Sequence, residues 1–267
     1  GSTYKLVAFK SDGTYMWTFD LGWNIEQGVW YSPYMVYDLD GDGKAEVIAK
    51  TCNDETDYRD DAGRVQTGPE HLSVINGETA QIIDYVDWPN RTGFSSYNYF
   101  SRNQVGLAFL DGETPAIIAA RGTYDLMKAT AYAFENGQLS VIWAWRSDQE
   151  QAPGQWDEQG AHSMHCADVD GDGKDEVILG SCVLDDTGDG LWTNGFDHCD
   201  HCYVGDLDPE HEGLEIYYGY EDGRSTGEGI SMWDAATGTM LWEVGVETHH
   251  IHREGMVADI DPNHRGM

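Results

Sequence analysis

Positive charge is scarce in this chain. Lys and Arg number 15 against 48 Asp and Glu, a formal net charge of −33 over 267 residues. Nucleic acid and anionic membranes are both bound through Lys/Arg patches, so this balance argues against either as a partner. No apolar run approaches the ~20 residues of a membrane-spanning helix. There is no glycine-rich phosphate loop, no Gly-x-Ser-x-Gly elbow and no helical metal motif, so nucleotide-dependent chemistry and serine hydrolysis have no support. No signal peptide is recognised at the start, where Gly1-Ser2 reads as an expression scar or a cut edge. Cysteine is sparse and odd in number: Cys52, Cys166, Cys182, Cys199 and Cys202 leave at least one thiol unpaired within the chain. The length suffices for a sizeable core, as one large all-β domain or part of a larger one.

What the chain does have is one short phrase repeated. It reads YDLDGDGKAEV from Tyr37, ADVDGDGKDEV from Ala167, GDLDPEHEGLEI from Gly205 and ADIDPNHRG from Ala258. Each leaves an apolar run and turns through alternating carboxylates. A hard cation such as Ca²⁺ takes roughly six to eight oxygens, and a tight loop that aims several carboxylates inward supplies them. Asp38, Asp40, Asp42 and Glu46 form one set, and Asp168, Asp170, Asp172 and Glu176 a second. Asp206 and Asp208 with Glu210 or Glu215, and Asp259 and Asp261 with Asn263, are looser versions. The flanks are short and rich in Val and Ile, which makes these strand–loop–strand units rather than EF-hands. One such loop alone would be an ordinary Asp-Gly hairpin turn; the repetition points to several bound Ca²⁺ ions. The apo form is then expected to be much less stable than the metal-bound form. Extracellular calcium fills weak loops that cytosolic calcium cannot, so secretion is the expected localisation.

A second unit alternates with the first: strand, glycine turn, strand. It appears as LVAFKSDGTYMWTF from Leu6, LSVINGETAQIIDYV from Leu72, AYAFENGQLSVIWAW from Ala131 and ISMWDAATGTMLWEV from Ile230. LAFLDGETPAIIAA from Leu107 repeats the first hairpin with only fragments of its acidic loop. Two alternating hairpins make a four-stranded blade, and repetition of such blades indicates an all-β propeller over residues 1–267. The count gives four full blades, preceded by a lone second hairpin from Thr3 to Phe19 and followed by a lone first strand. Strand edges left open in this way predict further strands, from more sequence or from a further chain.

With these residues in view, the chain resembles the rhamnogalacturonan lyases of polysaccharide lyase family 11, secreted eight-bladed calcium-binding propellers of pectin-degrading microbes. The segments that carry the resemblance include MVYDLDGDGKAEVIAKT from Met35, DYR at Asp57, GPEHLSVINGETA from Gly68, FLDGETPAIIAARG from Phe109, HCADVDGDGKDEVILGSCVLDDTGDGLWTNG from His165 and VGDLDPEHEGLEI from Val204. The resemblance implies cleavage of rhamnogalacturonan I between rhamnose and galacturonate by β-elimination. It implies that metal-binding histidines fall on His162 and His198, with Asp200 beside them. Arg121 and Arg253 would join the two histidines at the catalytic centre, and Arg102, Tyr58, Arg59 and His252 would meet the acidic pectic polysaccharide. Two departures stand out: Tyr203 occupies the place of a family histidine, and Glu254-Gly255 that of an Arg-Gly pair.

Other constellations leave alternatives open. His198-Cys199-Asp200-His201-Cys202 offers Zn²⁺ a pair of thiolates at Cys199 and Cys202. In an oxidising compartment the same pair would form a small disulfide ring. His249, His250, His252 and Arg253 crowd one loop, either merely solvated or displaying cations to a uronate. Trp30, Tyr31, Tyr97, Tyr99 and Trp192 are candidate sugar-stacking residues. The rival to an enzyme is a non-catalytic calcium-binding propeller that binds pectic polysaccharide or assembles with another chain. An adhesion propeller would share the acidic hairpins but lacks support from the uneven spacing of these.

Overall fold

A computed structural model describes residues 2–151, 155–220, 229–244 and 257–258. Strands dominate it. A two-stranded hairpin comes first, β1 (Lys5–Phe9) with β2 (Tyr15–Asp20). Four antiparallel sheets of four strands follow in chain order. The first comprises β3 (Tyr34–Tyr37), β4 (Glu46–Thr51), β5 (His71–Asn76) and β6 (Ile82–Asp87). Next come β7 (Asn103–Ala108), β8 (Ala116–Arg121), β9 (Lys128–Glu135) and β10 (Gln138–Arg146). Then β11 (Gly160–Ala167), β12 (Glu176–Gly180), β13 (Cys182–Leu184) and β14 (Gly190–Thr193) form the third. The last holds β15 (Cys199–Gly205), β16 (Glu215–Tyr220), β17 (Ile230–Asp234) and β18 (Thr239–Val244). Each sheet is a meander in which sequential strands are neighbours. The expected lone hairpin and four full four-stranded units are therefore present, while the expected final strand lies outside the described residues.

Turn chemistry explains the hairpins. Asn136-Gly137 joins β9 to β10 with φ of 52° and 75°, the paired left-handed conformation of a type I′ turn. The second strands β4, β8 and β12 have apolar centres and are buried along their whole length. The fourth strands β6 and β18 are largely exposed, as edges are.

The chain divides into two compact units. In the first (Gly1–Gly106, Pro115–Arg121, Ala129–Ala144), Leu6, Trp17 and Phe19 of the β1–β2 hairpin pack on a core of Leu21, Ile25, Val47, Ala49, Cys52 and Ile75. The second (Leu107–Thr114, Gly122–Lys128, Trp145–Met267) has its core between two sheets: Ile178 and Val183 face Cys199, Cys202, Ile216, Tyr218 and Trp233. Full burial of each large aliphatic is worth about 1.5–3 kcal/mol. A recurrent indole fixes the stacking in both units. Trp17 Nε1 donates to the carbonyl of Gly77 at 2.8 Å, and Trp192 Nε1 to that of Ala235 at 2.9 Å. In each case a last-strand Trp reaches the turn between the third and fourth strands of the following sheet.

The first unit also buries a charge network. Glu70 takes Arg91 Nη2 at 2.7 Å, Arg121 Nη2 at 2.5 Å and the ammonium of Lys50. Arg121 is 1% exposed; its Nε donates to Pro89 O at 2.5 Å and its Nη1 to Phe100 O. Expected at the catalytic centre, Arg121 is thus a buried member of this network, with all three guanidinium nitrogens engaged within the fold. Burial alone would raise the Glu70 carboxyl, but Lys50, Arg121 and Arg91 outweigh it and hold the value at about 2. Burial pulls the Lys50 ammonium down to about 8 against the attraction of Glu70.

Glu70→Gln should therefore destabilise the chain by about 3–5 kcal/mol, because it leaves buried cations uncompensated; the shift in a denaturant midpoint measures it. Glu70 is depressed on folding, so its contribution is full above the ordinary value of 4.5 and lost as pH falls towards about 2. That portion of the acid limb should be missing from the Gln variant.

Candidate metal centre and acidic hairpins

Two strand irregularities in the second unit bring His162, His198 and Asp200 together. In β11 the register passes from Gly160 opposite Gly180 to His165 opposite Ile178, so His162 sits on a bulged stretch. In β15 it passes from Cys199 opposite Tyr220 to His201 opposite Gly219, which makes Asp200 the extra residue. A bulge breaks the period-two alternation and re-aims side chains. That break lets Cys199 and Cys202, three apart, both enter the apolar core while Asp200 turns to the histidines.

The geometry at this point calls for a positive charge. His198 Nδ1 lies 2.5 Å from Gly160 O, a contact that requires a proton on Nδ1 and turns Nε2 the other way. That Nε2 faces Asp200 Oδ1 at 3.4 Å, and His162 Nε2 faces the same oxygen at 3.7 Å. Tyr124, which sequence reasoning missed, closes the cluster: its hydroxyl is 3.0 Å from His162 Nε2 and its ring 4.6 Å from that of His198. The ligand atoms of His162, His198 and Asp200 all lie within 4.8 Å of one another. Ligands on opposite sides of a Ca²⁺ ion are at most ~5 Å apart, so one ion fits between them. Two imidazoles also suit borderline metals such as Zn²⁺, whereas Ca²⁺ would complete its shell with further oxygens. His162 was pointed to by the resemblance alone, His198 also by its place in the pentapeptide with Cys199 and Cys202, and Tyr124 carried no signal at all.

Oxygen-only sets stand on the acidic hairpins. Asp38 accepts hydrogen bonds from the backbone of Gly41 at 2.9 Å, Asp42 at 3.1 Å and Gly43 at 2.9 Å. Asp168 repeats this with Gly171 at 2.8 Å and Gly173 at 3.0 Å. The four glycines hold φ between 73° and 93° and so curl each loop around its first carboxylate. Asp38, Asp40 and Asp42 gather within 4.8 Å, as do Asp168, Asp170 and Glu176. Glu46 and Asp172 stand outside these triplets; Asp172 Oδ1 instead accepts from Lys174 N at 2.9 Å. Glu46 and Glu176 are buried, and each accepts one loop N–H: from Leu39 at 3.0 Å and from Val169 at 2.8 Å. Burial, followed by the loop aspartates, raises the Glu176 carboxyl to about 7 and outweighs its hydrogen bond.

The third hairpin departs from expectation. Asp206, Asp208 and Glu215 assemble no three-ligand group among the described residues. Glu215 Oε2 accepts from Leu207 N at 2.7 Å and Asp208 N at 2.8 Å, and His211 Nδ1 lies 2.8 Å from Oε1. The physical reason is Pro209, which stands where the first loop has Gly41, lacks an N–H and cannot adopt positive φ. Asp259, Asp261, His252 and Arg253 lie outside the described residues.

Arg102, Arg59 and Tyr58 belong to the first unit. Arg102 stacks over Trp30 and Tyr31, its guanidinium 5.3 and 5.5 Å from the ring centroids, and donates to Asn98 Oδ1 at 2.9 Å. Arg59 forks onto Asp57 with two contacts of 2.8 Å and lies over Trp23. Tyr58 donates to Asp54 Oδ2 at 2.7 Å. All five cysteines are free thiols. Burial holds the thiols of Cys166, Cys182 and Cys199 well above their ordinary range, and no three-ligand group among the described residues includes a cysteine. Cys199 and Cys202 are not joined in the disulfide considered for them.

The sequence model for rhamnogalacturonan lyase family 11, C-terminal domain, matches residues 1–267. The chain belongs to that family. It is 42% identical over 279 residues to the rhamnogalacturonan exolyase YesX of Bacillus subtilis (strain 168), covering 97% of this chain and 45% of the relative. To the rhamnogalacturonan endolyase YesW of the same organism it is 42% identical over 281 residues, with 97% and 44% covered. The solved structure of YesX superposes with a TM-score of 0.92 over 100% of this chain and 47% of that one. A Bacillus licheniformis PL11 rhamnogalacturonan lyase gives a TM-score of 0.90 at 40% identity, covering 100% and 48%. The chain thus spans a little under half the length of these relatives. The shared segment is common to an exolyase and an endolyase.

If one ion is shared by the histidine cluster, His162→Ala or Asp200→Ala should lower metal occupancy by one site and leave the hairpins filled. Metal analysis of dialysed protein after addition of Ca²⁺ or Zn²⁺ checks this and identifies the preferred ion.

Proposed function

We propose that this chain serves a secreted, calcium-dependent rhamnogalacturonan lyase that cleaves the backbone of rhamnogalacturonan I by β-elimination. The observation that carries this reading is the convergence of His162, His198 and Asp200, built on two bulges, in a chain of this family. β-Elimination removes the galacturonate C5 proton and needs the neighbouring carboxylate neutralised as enolate-like charge develops. A cation at this cluster would supply that neutralisation. The chain's own part is to hold the ligand atoms in place: Gly160 O orients His198, and Tyr124 orients His162. Arg102, on its platform of Trp30 and Tyr31, offers a combined cationic and aromatic surface suited to an anionic sugar.

The four sheets are read as blades of a propeller that further strands complete. Val7, Phe9, Tyr34 and Val36 support this, being exposed apolar residues of β1 and β3 in the first unit. The acidic hairpins are read as calcium sites that hold the blades together. A non-catalytic polysaccharide-binding propeller is the second reading, favoured by Tyr203 in place of a family histidine.

Exchange of this chain for the corresponding segment of the B. subtilis exolyase tests both readings. Release of ultraviolet-absorbing unsaturated product from rhamnogalacturonan I supports catalysis; a folded chimera that binds the polysaccharide without product supports the second. Alone, the chain is expected to release little product. Chelation should lower its melting temperature by about ten degrees or more, because clustered carboxylates repel by roughly 1 kcal/mol per close pair. An unchanged melting curve would show that the loops are only turns.

A further inference from the structure

The buried network of the first unit holds more positive charge than it neutralises. Lys50 near the end of β4, Arg91 in the segment after β6 and Arg121 at the end of β8 all converge on Glu70, the residue before β5. Three cations thus share one carboxylate, and the side chains of Lys50, Glu70 and Arg121 are 5%, 7% and 1% exposed. Glu26 also draws on Arg121, but Val65 N and the Tyr97 hydroxyl occupy its two oxygens. A surplus of one sign is costly where water cannot screen it. Lys50 registers that surplus: burial draws its ammonium down to about 8, and Arg121 and Arg91 push it the same way against the pull of Glu70.

Hydrogen-bond donors are left over at the same place. Trp88 directly follows β6, is 3% exposed, and donates its backbone N–H to Glu70 O at 2.9 Å. Lys50 Nζ stands over its ring, 5.8 Å from the centroid, yet the indole N–H is buried with no hydrogen-bond partner. Arg91 directs Nη1 to Gly68 O at 2.8 Å and Nη2 to Glu70 Oε2 at 2.7 Å, while its buried Nε has no hydrogen-bond partner. A buried N–H without an acceptor is costly in the same way as the charge. Both costs are met by one ligand that is negative and only accepts.

We propose that this network binds a small monovalent anion, either a free halide such as chloride or the carboxylate of a uronate sugar. The anion would accept from Arg91 Nε and the Trp88 indole N–H, and Lys50 and Arg121 would balance its charge. Halide and carboxylate share the required chemistry, since neither has a proton to donate. Of the four charged side chains Arg91 is the most exposed, at 17%, and so opens the site to solvent. An anion here requires neither a bound metal nor lyase activity.

Chlorine NMR line broadening, followed as chloride is added to the chain in sulfate buffer at neutral pH, tests the site in the wild type, Arg91→Gln and Trp88→Phe. The wild type should show saturable broadening, and Arg91→Gln should bind chloride about tenfold or more weakly. Sodium galacturonate then assigns the source: displacement of chloride shows that a sugar carboxylate takes the site, and persistence restricts it to free halide. Absence of saturable broadening in the wild type, or equal affinity in Arg91→Gln, would overturn the proposal. Should Arg91→Gln fail to fold, Trp88→Phe, which removes the indole N–H and leaves every charge in place, should weaken binding in the same direction; unaltered affinity there would overturn it as well.

Discussion

In three of the four four-stranded sheets, the buried glutamate at the head of the second strand is the constraint on which the rest depends. Glu46, Glu176 and Glu215 are all buried, and each accepts backbone N–H bonds from the loop that precedes it. These bonds close the acidic loop and set the register of the first two strands. They also hold a carboxyl group where water is excluded, so its charge must be met by a positive group or removed by a proton. At Glu215 an imidazole faces the carboxylate, with His211 Nδ1 2.8 Å from Oε1. At Glu176 the side chains gathered around it are further acids.

The histidine cluster is built the opposite way, by interrupting the ladder. A regular β15 would have sent Cys199 and Cys202 to opposite faces. The extra residue at Asp200 brings both thiols into the core with Tyr218 and Trp233, and presents the carboxylate to His162 and His198. Packing and ligand geometry are therefore one device: the apolar contacts of the two cysteines hold the bulge that aims Asp200. Gly219 belongs to the same device, since a Cβ there would lie 2.3 Å from the His201 ring.

The repetition of acidic and glycine-turned hairpins made the four-stranded units legible before any coordinates. Asp-Gly and Asn-Gly turns and Val/Ile runs act locally, and local signals survive tertiary context. The hairpin CVLDDTGDGLWT from Cys182 was the exception: its paired aspartates do not stand out in so acidic a chain, although they line the side of Glu176. Carboxylates gathered by alternation within a loop, Asp38, Asp40 and Asp42, were readable for the same local reason. Arg121 was not, because its burial depends on Glu70, Pro89 and Phe100, which are distant in sequence. Tyr124 failed likewise, since only the bulge in β11 brings His162 to it. The change of the third hairpin from a carboxylate set to a histidine bridge was visible in Pro209 and His211, once Pro209 is weighed for its missing N–H.

Where the few basic residues stand also bears on the hairpins. Lys50, Arg91 and Arg121 are committed to Glu70. Arg59, Arg64 and Arg146 pair with Asp57, Asp60 and Asp148 a few residues away, and Arg102 lies on aromatic rings. Of the side-chain cations in these contacts, only Lys44 and Lys174 border the two glycine-rich acidic hairpins, and each is held by an acid of the opposite turn, Glu78 or Asp186. Exposed pairs of this kind contribute about 0–1 kcal/mol, too little to offset three carboxylates within 4.8 Å of one another. A sequence with 15 basic residues against 48 acidic ones has not recruited its own cations to these loops. Among the described hairpins, the one whose buried glutamate faces an imidazole, Glu215 beside His211, is the one with Pro209 in place of a loop glycine. A glycine-rich acidic loop and an internal histidine are thus alternative surroundings for the same buried glutamate.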